Sequence, residues 1–199
     1  MKDASHGLAL AETPTQVGVL SVAASSAGLV CVGWGRAAGL PEALQHRGAR
    51  PGAAATDLAE RAATQLAEYF AERRRTFDLP IDWQLTGGSQ REVLQCLFET
   101  VGFGESITYG GLAARSGTTV PARGIGSIMG SNPLPVVVPC HRVLAAGGLG
   151  GYSGGVREGP DAEPGGSSRY GLETKRWLLT FEEILPPTLG WDPAEPLSA

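Results

Sequence analysis

The chain is poor in cysteine and histidine, has no excess of positive charge, and contains no long apolar run. Its three cysteines (Cys31, Cys96 and Cys140) lie far apart. An odd, scattered set of this kind excludes a disulfide framework. The three histidines (His6, His46 and His141) share no metal-ligand spacing with a cysteine, so no structural zinc site and no other metal is expected. A net charge of -4 excludes bulk electrostatic attraction to nucleic acid, so contact with a polyanion would need a local surface. No stretch reaches the roughly 20 apolar residues that cross a bilayer. Met1 to His6 lack the basic start and apolar core of a secretory leader. These absences predict a cytoplasmic protein with reduced thiols and no membrane association.

What is present is a globular composition, with 42% hydrophobic and 18% charged residues in 199. The 29 glycines and 14 prolines cluster between periodic segments and mark loops. Val17 to Trp34 reads as two strands around Ser25-Ser26-Ala27-Gly28, the grammar of a hairpin. Residues 39–54 read as a surface loop. A helix is predicted from an N-cap at Thr56, with Asp57 and Glu60 in its first turn. Leu58, Ala62, Leu66, Tyr69 and Phe70 form its apolar stripe, and Arg73 to Arg75 close it. Phe77 to Trp83 resembles an edge strand, with Pro80 barring it from a sheet centre.

Thr86-Gly87-Gly88-Ser89 is the expected boundary between a domain at 1–85 and a domain at 86–199. Ser89 is placed to cap a helix running to about Thr100. Two short helices at 106–116 and 121–131, joined through Gly117-Thr118-Thr119, fit a helix-turn-helix. The apolar run Pro135 to Pro139 reads as a strand whose end carries Cys140. Residues 156–170 read as a loop, and a last helix spans about Leu172 to Leu185.

Cys140 differs from the other two cysteines in its neighbours. Pro139 ends the apolar run before it, and His141 and Arg142 follow with a candidate base and a fixed positive charge. Such company lowers a thiol pKa. Neighbouring side chains of a regular strand point to opposite faces, so Cys140 and His141 can cooperate only where the backbone turns. A Cys-His pair alone also suits a cysteine hydrolase.

The segment Pro139-Cys140-His141-Arg142-Val143 resembles the active-site signature of the O6-alkylguanine-DNA alkyltransferases (the methylated-DNA–protein-cysteine methyltransferases). Further motifs are similar in order. Tyr109 to Ala113 and Ala122 to Gly126 resemble the two helices of that family's helix-turn-helix. Asn132 to Pro135 resembles its hinge, Gly151 to Gly155 its closing loop, and Lys175 to Glu182 its C-terminal helix. The likeness is dense over residues 86–185 and looser over 13–83. It implies an α/β chain with an N-terminal small β-sheet and helix (RNase H-like). A mostly α C-terminal domain carrying the helix-turn-helix follows.

The resemblance also implies a DNA repair activity. The alkylated base is rotated out of double-stranded DNA, and its alkyl group passes irreversibly to Cys140 in a single turnover without a cofactor. His141 deprotonates Cys140 through a water, Glu182 holds His141, and Tyr109 protonates the leaving base. Arg123 fills the vacated space, with Ala122, Gly124 and Ser127 at the DNA backbone and Arg142 adding positive charge. Met129, Asn132, Val143, Tyr152 and Ser153 form the pocket, with Asn132 tying the hinge to the tyrosine helix. Residues 101–157 carry four arginines against one glutamate, a local patch that suits phosphate. A monomer acting on O6-alkylguanine is the expectation, and the sequence leaves the repair of O4-alkylthymine open.

The chain departs from the family pattern at four places. Gly130-Ser131 replaces a basic residue, Leu94 replaces a tryptophan, the N-terminal zinc set is missing, and residues 156–170 are longer than the usual connection. Three rival readings fit less of the sequence: a binding-only relative, which would lack the reactive Cys140; a DNA-binding regulator, with no use for a Cys-His-Glu set; and a Cys-His hydrolase, with no use for Tyr109, Arg123 and a minor-groove helix.

Overall fold

The computed structural model describes residues 7–37, 40, 44, 50–150, 169–188 and 192–193. It divides into two compact units, Met1–Leu85 and Thr86–Ala199. Among the described residues no helix is long and apolar enough to cross a membrane.

The first unit is built on an antiparallel sheet of three strands, β1 (Ala9–Thr15), β2 (Gly18–Ala24) and β3 (Leu29–Trp34), in that order. The hairpin between β2 and β3 follows from its β-branched residues and from the turn at Ser25, whose N–H donates to Gly28 O at 2.9 Å. Gly28 is obligatory there, since a Cβ on it would lie 2.4 Å from the Pro80 carbonyl oxygen. Strand β1 falls on Thr13-Pro14 and its neighbours, a stretch whose alternation is too weak to announce a strand. It is an edge strand, as a proline in a sheet requires.

Helix α1 (Ala53–Phe70) packs against β1 and β2 with Leu58, Ala62, Leu66, Tyr69 and Phe70 buried. Burying each of the larger side chains contributes about 1.5–3 kcal/mol. On the far side, Leu40 and Leu44 cluster with Ala23, Val30 and Cys31. Three expectations change here. The helix starts before Thr56, with Gly52 as its N-cap, and Thr56 Oγ1 donates back to Gly52 O at 3.3 Å. It ends before Arg73, because Glu72 adopts a φ of 58°; Arg74 instead pairs with Glu68 at 2.7 Å. Residues 77–83 make one bridge to β3, Leu29 to Ile81, and not a full strand, since Pro80 has no N–H to donate. Most of residues 39–49 lie outside the described residues.

The second unit is helical. Helix α2 (Gly88–Thr100) opens with Gly87 as N-cap, two residues earlier than the Ser89 cap expected. A two-residue strand β4 (Ile107–Thr108) leads into α3 (Tyr109–Arg115), and α4 (Ala122–Gly130) follows. Thr108 caps α3 by accepting from Gly111 N at 3.0 Å. Gly117, at a φ of 66°, ends α3 with a turn that L side chains resist. Helices α3 and α4 pack together, and α2 packs on both.

The apolar run before Cys140 is not a strand. Residues 133–138 coil, with Val136 at a φ of 71°, a conformation that costs a β-branched residue about 1–2 kcal/mol. Asn132 holds the coil in place. Its Nδ2 donates to Val138 O at 2.8 Å, and its Oδ1 accepts from Leu134 N at 3.0 Å. A 3-10 turn at Cys140–Arg142 then feeds β5 (Val143–Leu144), which pairs in parallel with β4. Helix α5 (Arg169–Phe181) closes the unit, beginning inside the segment expected to be loop and ending just before Glu182. The rest of the 156–170 segment lies outside the described residues.

Candidate active site

Three short pieces of backbone assemble the site. The parallel pairing of Ile107 with Val143 and Thr108 with Leu144 brings the start of α3, and so Tyr109, beside the Cys140 turn. Helix α5 supplies Lys175 from its middle, and Glu182 follows directly after its end. Cys140 (1% exposed), His141, Val143, Lys175 and Glu182 are all buried.

The 3-10 turn resolves the geometric question that the sequence raised. At three residues per turn, successive side chains diverge by about 120° instead of 180°, so Cys140 and His141 do not point to opposite faces as they would in a regular strand. Cys140 N–H donates to Val138 O at 2.8 Å, and Arg142 N–H to Pro139 O at 2.9 Å, which fixes the turn.

His141 Nε2 lies 3.0 Å from Glu182 Oε1. Glu182 is ionised and can only accept, so Nε2 carries the proton and donates it. The lone pair of a neutral His141 is therefore on Nδ1. That atom is buried and has no hydrogen-bond partner among the described residues. Burial pushes the His141 pKa below its ordinary 6.5. Glu182 opposes that shift, and the charges of Arg142 and Lys175 reinforce it. The ring is thus neutral, with its basic nitrogen unpartnered among the described residues.

Burial alone would raise the Glu182 pKa, but His141 and Arg142 together hold the carboxyl well below the usual range. Arg142 binds it as a fork, Nε to Oε2 at 2.8 Å and Nη2 to Oε1 at 2.7 Å. Its remaining nitrogen Nη1 donates to Val101 O at 2.7 Å, at the end of α2. This corrects the expectation that Arg142 serves DNA. Its side chain is 7% exposed and committed to Glu182, so it adds nothing to a phosphate surface.

Tyr109 is half-buried, and burial together with the charge of Cys140 raises its pKa, which keeps its hydroxyl protonated as a donor. Gly150, at a φ of 70°, sits against that ring; a Cβ there would meet Tyr109 Cε2 at 2.9 Å. Both polar ends of the Asn132 side chain bond within its own hinge, and among the described residues no hydrogen bond is seen from it to the tyrosine helix. Tyr152 and Ser153 lie outside the described residues.

Helix α4 presents Ala122, Arg123 and Ser127 outward, while Ile125 and Met129 are buried on its inner face. Gly124 is tight for an internal reason, because a Cβ would lie 2.8 Å from Val120 Cγ1, whereas Gly126 has open space.

The other cysteines have neither feature. Burial pushes the Cys31 thiol up to about 12, and Cys96 lies on α2, 3.9 Å from Thr100 Oγ1. Sequence reasoning missed Lys175 as a site residue. Its signal was its place on the inward stripe of α5, four residues after Gly171 and seven before Glu182.

Residues 88–184 match the family model for the 6-O-methylguanine DNA methyltransferase DNA-binding domain, and residues 9–83 match the ribonuclease-like domain of the same family. The chain belongs to this methyltransferase family. Among curated relatives, the methylated-DNA–protein-cysteine methyltransferase of Cricetulus griseus is 37% identical over 128 residues, covering 61% of this chain and 54% of that protein. The protein of the same name from Mycolicibacterium paratuberculosis is 43% identical over 97 residues, covering 48% and 57%. The chain thus spans about half the length of the curated methyltransferases it matches. The crystal structure of Mycobacterium tuberculosis OGT in complex with DNA superposes with a TM-score of 0.66 at 28% identity, covering 88% of this chain and 92% of that one.

Proposed function

We propose that this chain repairs double-stranded DNA by moving an alkyl group from O6 of guanine onto Cys140, once per molecule. The observation that carries the reading is His141 in the same turn as Cys140, with Nε2 held by Glu182 and Nδ1 unpartnered among the described residues.

In this reading the Cys140 proton passes to His141 Nδ1 through a water. The thiolate attacks the alkyl carbon, one S–C bond forms, and the C–O6 bond breaks with its electron pair leaving on guanine. Tyr109 gives its proton to N3 of the departing base. Glu182 keeps His141 oriented and stabilises the imidazolium, the task of the third member in any such triad.

The base must first leave the stack, at a cost of a few kcal/mol. Arg123, exposed at the start of α4, occupies the space it vacates, while Ala122, Gly124 and Ser127 lie along the DNA backbone. Met129, Asn132 and Val143 back the pocket, and Tyr152 and Ser153 close it. Residues 1–85 support and 86–199 carry out the reaction, as two domains of a monomer working in the cytoplasm, without metal or cofactor.

Intact-mass measurement after mixing with O6-methylguanine DNA tests the reading. A gain of one methyl per chain, mapped to Cys140, is the expected result. No gain, or a methyl on Cys31 or Cys96, overturns it.

A further inference from the structure

Gln90 lies in the first turn of α2, and Ser131, 41 residues further along the chain, caps the C-terminal end of α4. Gln90 Nε2 donates to Ser131 Oγ at 3.0 Å and to the Ser131 carbonyl oxygen at 3.4 Å. The serine hydroxyl shares its own proton between the carbonyls of Ser127 and Ile128, at 3.1 and 3.3 Å. The Ser131 N–H reaches the same two oxygens at 3.1 and 3.2 Å. A helix end leaves its last carbonyls without partners inside the helix. Here one serine satisfies two of them, and one glutamine holds the serine.

The bond matters because α4 has little else of its own to hold it. Ala122, Gly124, Gly126 and Gly130 make up four of its nine residues, so few side chains brace it and its glycines favour unwinding. Between Arg123 and His141 the chain carries no charged side chain, so no ion pair of its own can fix that end. Ser131 also stands directly before Asn132, whose amide donates to Val138 O at 2.8 Å, the carbonyl that accepts the Cys140 N–H at 2.8 Å. The end of α4 is thus the joint between its outward face and the Cys140 segment.

We infer that Gln90 is a positioning residue for duplex DNA: through Ser131 it fixes the C-terminal end of α4 on α2, and so sets how Arg123 and the outward face of α4 meet the double helix. The inference rests on the reading of α4 as the helix that meets DNA and adds to it a residue from another helix. A merely structural bond would stabilise the fold without favouring one substrate over another. A positioning bond acts on the duplex alone, because a free base does not engage the outward face of α4.

The test compares two substrates in the full chain. Gln90→Met keeps the length of the side chain and removes the donor, and Ser131→Ala removes the hydroxyl that receives it. Each should weaken binding to a duplex containing O6-methylguanine, read by fluorescence anisotropy, by roughly 3- to 10-fold, the scale of one neutral hydrogen bond. The rate with free O6-benzylguanine should stay near that of the parent chain. Ser131→Thr keeps the hydroxyl and should bind the duplex like the parent. Unchanged duplex binding in a folded Gln90→Met variant, or equal losses with both substrates, overturns the inference.

The double variant decides whether the two residues act as a pair. Gln90→Met combined with Ser131→Ala should lose clearly less affinity than the product of the two single losses, because both changes remove the same bond. Independent losses would mean that each side chain meets DNA by itself, and they overturn the inference. Failure of the functional reading looks different: the parent chain then takes up no methyl, while the comparison of duplex binding among the variants still stands. A parent chain that binds no duplex overturns both.

Discussion

Arg142 lays two guanidinium nitrogens on the two carboxylate oxygens of Glu182, 40 residues further along the chain, while its third nitrogen holds the carbonyl of Val101. This one side chain therefore couples the charge behind the His141 base to the C-terminal end of α2. A bidentate pair of this kind has the strongest geometry an ion pair offers.

Removing one partner of a buried ion pair leaves the other charge uncompensated. Arg142→Ala should lower unfolding stability by about 3–5 kcal/mol, measured by urea denaturation. Arg142→Lys should recover part of that, since it restores the charge without the fork. Neither change should alter the salt dependence of DNA binding, because Arg142 does not reach the surface. A reduced salt slope would restore it to the DNA contacts.

Stability should fall as pH drops, in two windows. Folding holds the His141 pKa below 6.5, so the contribution of the neutral ring is complete above 6.5 and declines as pH falls from there. Folding also holds the Glu182 pKa below 4.5, so its contribution is complete above 4.5 and is lost below it. Lys175 acts at the other end. Its folded pKa of about 8 lies under its ordinary 10.5, so stability should rise between those values. Urea midpoints from pH 2 to pH 10 check all three. In His141→Gln the decline just below 6.5 should shrink, and in Lys175→Met the alkaline rise should vanish. Persistence of either slope in its variant contradicts the assignment.

Two glycines should respond in opposite ways to alanine. Gly150→Ala meets both a φ of 70° and the Tyr109 ring at 2.9 Å, so the ring must shift. Reaction with free O6-benzylguanine should slow about tenfold or more, as expected when a reacting contact moves by a fraction of an ångström. Gly126→Ala has open space and an ordinary backbone, and should gain about 0.5–1 kcal/mol in stability. Its DNA affinity should weaken, since the new methyl lies on the outward face of α4. Parent-like rates in Gly150→Ala would remove Tyr109 from the pocket.

Arg123 and Tyr109 separate extrusion from chemistry. Arg123→Ala should slow repair in duplex DNA by about 10- to 100-fold, the scale of a few kcal/mol of unstacking, and leave the reaction with free O6-benzylguanine nearly unchanged. Tyr109→Phe should impair both, because the leaving base needs its proton in either setting. Equal slowing of both substrates by Arg123→Ala would end its assignment to the vacated space.

Local pattern alone determined a good deal. The β2–β3 hairpin was legible because β-branched residues flank a Ser-Gly turn. Helices α1 to α5 were legible because their apolar residues recur at helical spacing, although α1, α2 and α4 begin after glycine or proline and not after a side-chain cap. Cys140 stood out through its immediate neighbours. The tertiary structure decided the rest. Strand β1 has too little alternation to appear by itself and exists because β2 offers it a ladder. The run before Cys140 has strand composition, yet Asn132 holds it in a coil that leads into a 3-10 turn, where Cys140 and His141 no longer alternate across a strand. Arg142 and Lys175 read as solvated charges in sequence, because nothing local says where a long side chain ends. Their burial is set by partners 40 and 32 residues away, Glu182 for one and the Val143 carbonyl for the other. Charge pairing over such separations depends on which backbone segments meet, and only the folded chain brings those segments together.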